Sequence, residues 1–288
     1  MENQNKAVAV AINGTANNAN AVATYTPTIN LPVLTDRNFV LEVIQENLEG
    51  LGALRFPKVS IPGAGGLSFT VVDAETGDET AATSITGVLL GKHAFKVWYQ
   101  KSFEEKGGDD DEIVMCISVD CETGSGCQDP VTGDWLVPFG QKCETCQYNQ
   151  WESSRKGGRG KDCSDKFRLH IAQEGEVFPI RIDLPPTSLS NFKDYLKRLT
   201  NKAKPYYGVV TQIKLETDKN DSGTKFSKAT FSKVNDLSRE EFVAIKEYMQ
   251  AMASSMAMIT RESLSEPAPV GTTVDAEGGA SDDEEEAY

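Results

Sequence analysis

Three cysteines constrain the middle of this chain more than any other residues do. Cys143 and Cys146 form a CxxC knuckle, and Cys163 closes the stretch "CETCQYNQWESSRKGGRGKDC" after sixteen intervening residues. A tight CxxC turn supplies two thiolates from one place, and a structural zinc takes four thiolate or imidazole ligands in a tetrahedron. The fourth has to come from Cys116, Cys121 or Cys127, because His93 and His170 fall within strand-like runs. The chain has six cysteines, and its start lacks a basic residue run followed by an apolar block. This favours reduced thiols and metal ligation over a disulfide framework. The spacing therefore predicts a zinc-ribbon-like insertion over about residues 116–166. A catalytic zinc is not expected, since the deaminase pattern needs HxE ahead of PCxxC. Here Lys142 precedes the CxxC, and Ala and Phe follow His93. Four thiolates leave no open position for water, so such a zinc orders a loop and performs no chemistry.

The same loop is the most basic part of an acidic chain. The formal net charge is −14, yet residues 142–233 carry 18 Lys and Arg against 11 Asp and Glu, while residues 1–141 carry 8 against 19. A local excess is a better guide to an anionic partner than the total, because screening limits each charge to a reach of about 8–10 Å. Within the loop, Tyr148, Trp151, Arg155, Lys156, Arg159 and Lys161 mix rings with cations, and Gly157, Gly158 and Gly160 allow close backbone approach to a phosphate. The plain alternative is that Trp151 packs on the knuckle and "RKGGRGK" is a solvated turn. Cations recur at Arg168 and Arg181 on strands, Lys197 on a helix and Lys214 on a later strand, and Trp98 and Tyr99 are further ring candidates. A basic track with rings is what binding of single-stranded nucleic acid requires.

The rest of the chain reads as strands with a few helices. "LTDRNFVLEVIQENLEGLG" offers Thr35 or Asp36 as a cap and Phe39, Val40, Val43, Ile44 and Leu48 at helical spacing. Strand-like runs follow in "LRFPKVSIP", "LSFTVVD", "SITGVLLGKHAFKVWYQK" and "IVMCISVD". "PGAGG" lacks the GK[ST] ending of a phosphate loop and reads as a hairpin turn. "GGDDDE" reads as a solvated loop, with no second acidic cluster to complete a two-metal nuclease site. "FRLHIAQEG" and "FPIRIDLPP" alternate about "EGE" as a hairpin. Thr187 or Ser188 then caps a helix with Leu189, Phe192, Leu196 and Leu199 as its stripe. Strands "YYGVVTQIKLET" and "TKFSKATFSKV" and a long amphipathic helix, "DLSREEFVAIKEYMQAMASSMAMI", complete the set. No βαβ rhythm is present. The expectation is a mainly β fold with α (α+β), an OB-like Greek-key barrel with flanking helices over residues 30–260. Residues 1–29 read as a disordered arm and 261–288, ending "SDDEEEAY", as a disordered acidic tail. No apolar run reaches the ~18 residues of a membrane span, so a cytoplasmic protein without membrane contact is expected.

The blocks "RFPKVSIPGAGGLSF", "ITGVLLGKHAFKVWY", "CETCQYNQWESSRKGGRGKDC", "LPPTSLSNFKDYLKRL" and "YYGVVTQIKL" resemble successive segments of a family of uncharacterised phage and prophage proteins, over about residues 38–250. The CxxC with its trailing GxGKxC is the most specific of them. The family has a CxSxDG-like turn before the knuckle, and "CISVDCETG" is similar to it at Cys116, Ser118 and Asp120, with Cys121 in place of the glycine. The resemblance thus implies a zinc site of Cys116, Cys143, Cys146 and Cys163, with Cys127 as the fallback. It brings no function with it. The layout of a basic groove and an acidic tail is similar to that of the single-stranded-DNA-binding proteins of phages and bacteria. By that analogy the expected function is sequence-nonspecific binding of single-stranded DNA in replication or recombination, without enzymatic activity. The tail would compete for the groove and recruit replication or recombination proteins. The rival expectations are a zinc-stabilised protein–protein interaction module and a metal-dependent nuclease.

Overall fold

The computed structural model describes residues 28–49, 56–72, 78–101, 112–155, 159–220 and 223–265. The chain begins with α1 (Pro32–Thr35) and α2 (Arg37–Leu48). Asp36 caps α2 by accepting the Phe39 N–H at 3.2 Å. Val40 and Ile44 point inward, whereas Phe39, expected on the buried stripe, is exposed. Strands β1 (Lys58–Ser60), β2 (Phe69–Val72) and β3 (Glu79–Ala82) form an antiparallel meander with "PGAGG" in its first turn. The β-branched and aromatic run of β4 (Ser84–Lys101) spans 18 residues. After β5 (Glu112–Ser118) come the small ribbon β6 (Cys127–Gln128) and β7 (Trp135–Val137), then β8 (Ser164–Ala172) and β9 (Ile180–Leu184). Helix α3 (Leu189–Thr200), the hairpin of β10 (Val209–Lys219) and β11 (Lys225–Asp236), α4 (Arg239–Ala257) and α5 (Arg261–Ser265) complete the described chain.

Because β4 is so long, it serves three neighbours in turn. It pairs with β10 through Ser84–Val88, with β8 through Val88–Val97 and with β5 through Lys96–Lys101. The sheet order is β11-β10-β4-β8-β9-β1-β2-β3, with β5 on the far stretch of β4. All pairings are antiparallel except β1 with β9. The sheet curls until the β1–β2 turn meets β10 and β11: Gly65 and Gly66 carbonyls accept from Thr217 Oγ1 at 2.7 Å and Ser227 Oγ at 2.9 Å. The fold is thus α+β, mostly strands in a curled half-barrel with a few helices.

Both faces of the middle of the sheet are covered. On one, Phe69, Ile85, Ile182, Ile213 and Phe231 pack with Leu189, Phe192, Tyr195 and Leu199 of α3. On the other, Val88, Leu90, Ala172 and Val210 meet Ile245, Tyr248, Met252 and Met256 of α4, with α1 and α2 alongside. Ser188 does not cap α3 as expected. Its Oγ accepts the Ala229 N–H at 2.9 Å, while Asn191 and Arg198 donate to the carbonyls of Ala229 (2.9 Å) and Phe231 (3.2 Å). Side chains of α3 and of Ser188 before it thereby occupy three outer backbone groups in the middle of β11, an edge strand that would otherwise offer them to another chain.

The described residues extend beyond both expected boundaries. Thr28 donates its N–H (2.6 Å) and hydroxyl (3.0 Å) to the buried carboxylate of Glu241, which also closes the capping box of α4 on the Ser238 N–H. At the other end, Ile259 and Leu264 are buried against Phe95, Val97 and Val114. Residues 1–27 of the expected arm and 266–288 of the expected tail lie outside the described residues. No helix among the described residues is long and apolar enough to cross a membrane.

One buried group makes stability depend on acid. His170 on β8 stands edge-on to Phe56 (5.2 Å) and His93 (5.8 Å). Burial, with the nearby His93 and Arg168, lowers it from 6.5 to about 3. The unfolded chain takes up this proton below about 6.5 and the folded chain does not. The stabilisation is therefore complete above that pH and drains as the pH falls towards 3. His170→Phe is expected to flatten the loss of stability on going from pH 6.5 to about pH 4 in urea titrations. An unchanged slope would assign the loss to other groups.

Candidate metal centre and nucleic-acid interface

Between β5 and β8 the chain builds a module with its own core of Trp98, Met115, Cys127, Val137 and Cys163, packed by Cys116, Leu136, Cys146 and Tyr148. Cys116 comes from β5, Cys143 and Cys146 from a single helical turn, and Cys163 from the residue before β8. That turn is fixed by the Cys146 N–H on the Cys143 carbonyl (3.3 Å) and by Asn149 Nδ2 on the same carbonyl (2.7 Å). The Cys163 N–H donates to the Tyr148 carbonyl at 2.7 Å. As a result Cys116, Cys143, Cys146 and Cys163 line one cavity of about 20 Å³, beside Lys96, Trp98 and Tyr148. One water-sized body needs about 10–15 Å³ by this measure. Cys121 and Cys127 are not on its wall. Among the described residues no three His, Cys, Asp or Glu side chains are drawn together closely enough to hold an ion as they stand, so the four thiols share the wall without meeting at a point. Burial, reinforced by Cys143, Cys146 and Cys116, pushes the Cys163 thiol up to about 12, and burial raises Cys143 as well. A cation in the cavity would reverse both effects.

The "CISVDCETG" turn positions the first of these cysteines against the others. Asp120 Oδ1 accepts from the Glu122 and Thr123 N–H groups and from Ser118 Oγ, each at 2.8 Å, and these bonds hold its carboxyl well below the usual carboxylate range. The Glu122 carbonyl then takes the Cys143 N–H at 2.7 Å, tying the turn to the knuckle. Cys121 has φ of 64°, in the left-handed region that favours glycine. Cys121→Gly is expected to raise stability by roughly 0.5–1 kcal/mol, the left-handed penalty less the extra backbone entropy of glycine. A lower thermal midpoint would mean that the thiol makes a contact worth more than the strain.

Trp98 joins this module to the sheet. Its indole N–H donates to Asp162 Oδ2 at 2.7 Å, its ring stacks on Tyr148 at 3.7 Å, and the Arg155 guanidinium lies 5.6 Å from the ring centre. Arg155 also pairs with Asp162 at 2.6 Å and donates to the Tyr99 carbonyl. Beyond Arg155 opens a cleft of about 790 Å³. Ser154, Arg155, Lys161 and Asp162 of the loop form one part of its wall, and Tyr99, Ser164 and Lys166 another. Gly63 of the "PGAGG" turn and Pro185 and Pro186 complete it. Lys166 Nζ sits 3.0 Å from the Tyr99 hydroxyl and 4.8 Å from the centre of its ring. Trp151, 75% exposed, has Lys161 Nζ 5.7 Å from its ring centre.

Of the residues expected to contact nucleic acid, the cleft therefore gathers Arg155 and Lys161, with Trp151 beside Lys161. Arg159 is exposed, and Lys156 lies outside the described residues. Tyr148 is committed to its stack on Trp98. Lys161 is also a brace, bonded to Asp165 (2.7 Å) and Asn149 (3.0 Å). Two expectations are corrected. Arg168 is 1% exposed and grips Asp183 with two bonds of 2.7 and 2.8 Å, and Arg181 is buried too, so neither is open to a polymer. Alternation along β8 and β9 suggested a half-exposed sheet, but both faces there are covered. Lys197 on α3 and Lys214 on β10 are exposed and lie outside the cleft wall. Sequence reasoning missed Lys166, although it shares a strand face with Ser164 just after Cys163. Nothing local marked Gly63, Pro185 and Pro186, which only the topology brings there. Compared with known proteins, the chain matches no family model, no curated protein and no solved structure.

Proposed function

We propose that the protein binds single-stranded DNA without sequence preference, in phage-type replication or recombination, and performs no chemistry on it. The observation that carries this reading is the cleft: Arg155, Lys161 and Lys166 beside the Tyr99 ring, with the exposed indole of Trp151 next to Lys161. Cations that follow a phosphate backbone and rings that accept bases are the two parts of such a site. A structural zinc held by Cys116, Cys143, Cys146 and Cys163 would order the loop that supplies half of it. Four thiols on one ion-sized cavity suit that metal. In this reading the curled sheet does the work of an OB-like barrel, a rigid curved wall that carries the loop. The acidic segment from Glu266 onward continues from α5 and would compete for the cleft or engage partner proteins.

The test is fluorescence anisotropy with a labelled oligothymidylate at two salt concentrations, with duplex DNA and RNA in parallel. Lys166→Ala with Arg159→Ala is expected to weaken binding and to reduce the salt slope by about 1.4, two phosphate contacts at ~0.7 each. Trp151→Ala should cost ~1–3 kcal/mol of affinity with little change in slope. Deleting residues 274–288 should tighten binding. Unchanged affinity in all three variants would remove the cleft and tail from the function.

A further inference from the structure

The cysteine module has a second surface, on the side of the β6–β7 ribbon that faces away from the cavity. Cys127 and Val137 face the module's core, whereas Val131, Trp135 and Phe139 are 90%, 55% and 81% exposed. The ribbon holds them in place. Asp129 Oδ1 accepts the Val131 and Thr132 N–H groups at 2.8 and 3.0 Å, and the Asp129 N–H donates to the Asp134 carbonyl at 2.8 Å. A Cβ at Gly126 would meet the Phe139 backbone at 2.7 Å and the Trp135 ring at 3.0 Å, so both lie hard against that glycine. Three large apolar side chains exposed within nine residues of a braced ribbon are apolar surface of the kind that marks a contact. Asp129, Asp134, Glu122 and Glu144 belong to the same module, and none has an ion-pair partner among the described residues. That charge repels phosphates and suits a cationic, partly apolar partner.

Such a partner surface exists on the same chain. The outer side of α3 carries a shallow groove lined by Lys193, Leu196, Lys197, Thr200 and Asn201. Lys193 has no ion-pair partner among the described residues, and Lys197 has only the exposed Asp194. The two surfaces belong to different parts of the fold, α3 against β11 and the ribbon against β5. We infer that the ribbon of one copy docks in the α3 groove of a second copy. Trp135 and Phe139 cover Leu196, the lysines lie over the rings, and Asp134 meets their ammonium groups. Because the two surfaces are unlike, the contact is head-to-tail and each pair leaves one ribbon and one groove free, so copies add beyond the dimer, into a ring where the rotation closes and an open series where it does not. This association does not depend on nucleic acid.

Sedimentation velocity on the full chain, from about 1 to 100 µM, is the test, a range that suits a small contact. The wild-type protein is expected to sediment faster as concentration rises. Val131→Lys with Asp134→Lys makes the ribbon positive, and Lys193→Glu with Lys197→Glu makes the groove negative. Each variant alone should remain monomeric. Their equimolar mixture should associate again, since the intact ribbon of one meets the intact groove of the other and the two altered surfaces are also complementary in charge. All four positions are on the surface, and circular dichroism identifies any variant that has misfolded. A wild-type chain that is monomeric throughout, variants that still associate, or a mixture that does not recover would each overturn the proposal. So would a monomeric wild-type chain whose ribbon captures a different basic protein.

Discussion

With zinc at the site proposed above, Cys143→Ser is expected to bring the metal content of the purified protein from about one zinc per chain to near zero and to unravel the module between β5 and β8. A structural zinc supplies roughly 10–16 kcal/mol to small modules. The five buried side chains of the module's core, Trp98 and Cys163 among them, cannot replace that. The large sheet should survive, because its two main cores draw on other residues. Hydrogen exchange would then show protection lost over about residues 116–166 and kept in β4, β8 and β10. Metal analysis and exchange together separate this from general unfolding. A chain that lacks zinc and still protects the module would contradict the assignment of Cys116, Cys143, Cys146 and Cys163.

Arg168→Ala is the second large effect. Burial alone would raise the Asp183 carboxyl, but the Arg168 fork outweighs it and holds the group below its usual range. Arg168 also donates to Ser263 Oγ at 3.1 Å and to the Met258 carbonyl at 3.4 Å, so it fastens the segment that leads into α5. Removing it leaves a largely buried carboxylate with only the more distant charges of Lys166 and Arg181, at a cost of about 3 kcal/mol. Arg168→Met with Asp183→Leu should recover most of that loss, since an apolar pair of similar volume needs no partner charges. Urea unfolding checks both variants. A single substitution costing under about 1 kcal/mol would show that water reaches Asp183.

The case of Arg168 shows where the sequence was legible and where it was not. The hairpin of β8 and β9 follows from alternation about "EGE", and the turn already fixes a register in which Arg168 stands opposite Asp183. A charge pair at a cross-strand position was therefore available as a signal. What alternation could not reveal was the second cover, because α4 and α5 reach that face from almost a hundred residues away. The two long helices, the "PGAGG" turn and the β10–β11 hairpin were legible for the opposite reason, since caps, turns and periodicity are local. The four cavity cysteines were legible in part. The knuckle is a local motif, while the choice of Cys116 needed the resemblance of "CISVDCETG" to another pattern. The cleft was the least legible. Half of its wall comes from the basic loop, but Gly63, Pro185 and Pro186 carry no charge, ring or motif that points to one another.

The sealing of β11 by α3 has a consequence for the kind of assembly this chain can form. Three outer backbone groups in the middle of β11 are taken up by Ser188, Asn191 and Arg198, and β3 is only four residues long, so both ends of the sheet are poor templates for a strand from another molecule. This favours contacts between copies through side chains on finished surfaces. In the head-to-tail association inferred above, such contacts come apart on dilution and re-form on concentration, and they stay clear of the irreversible route to cross-β aggregates.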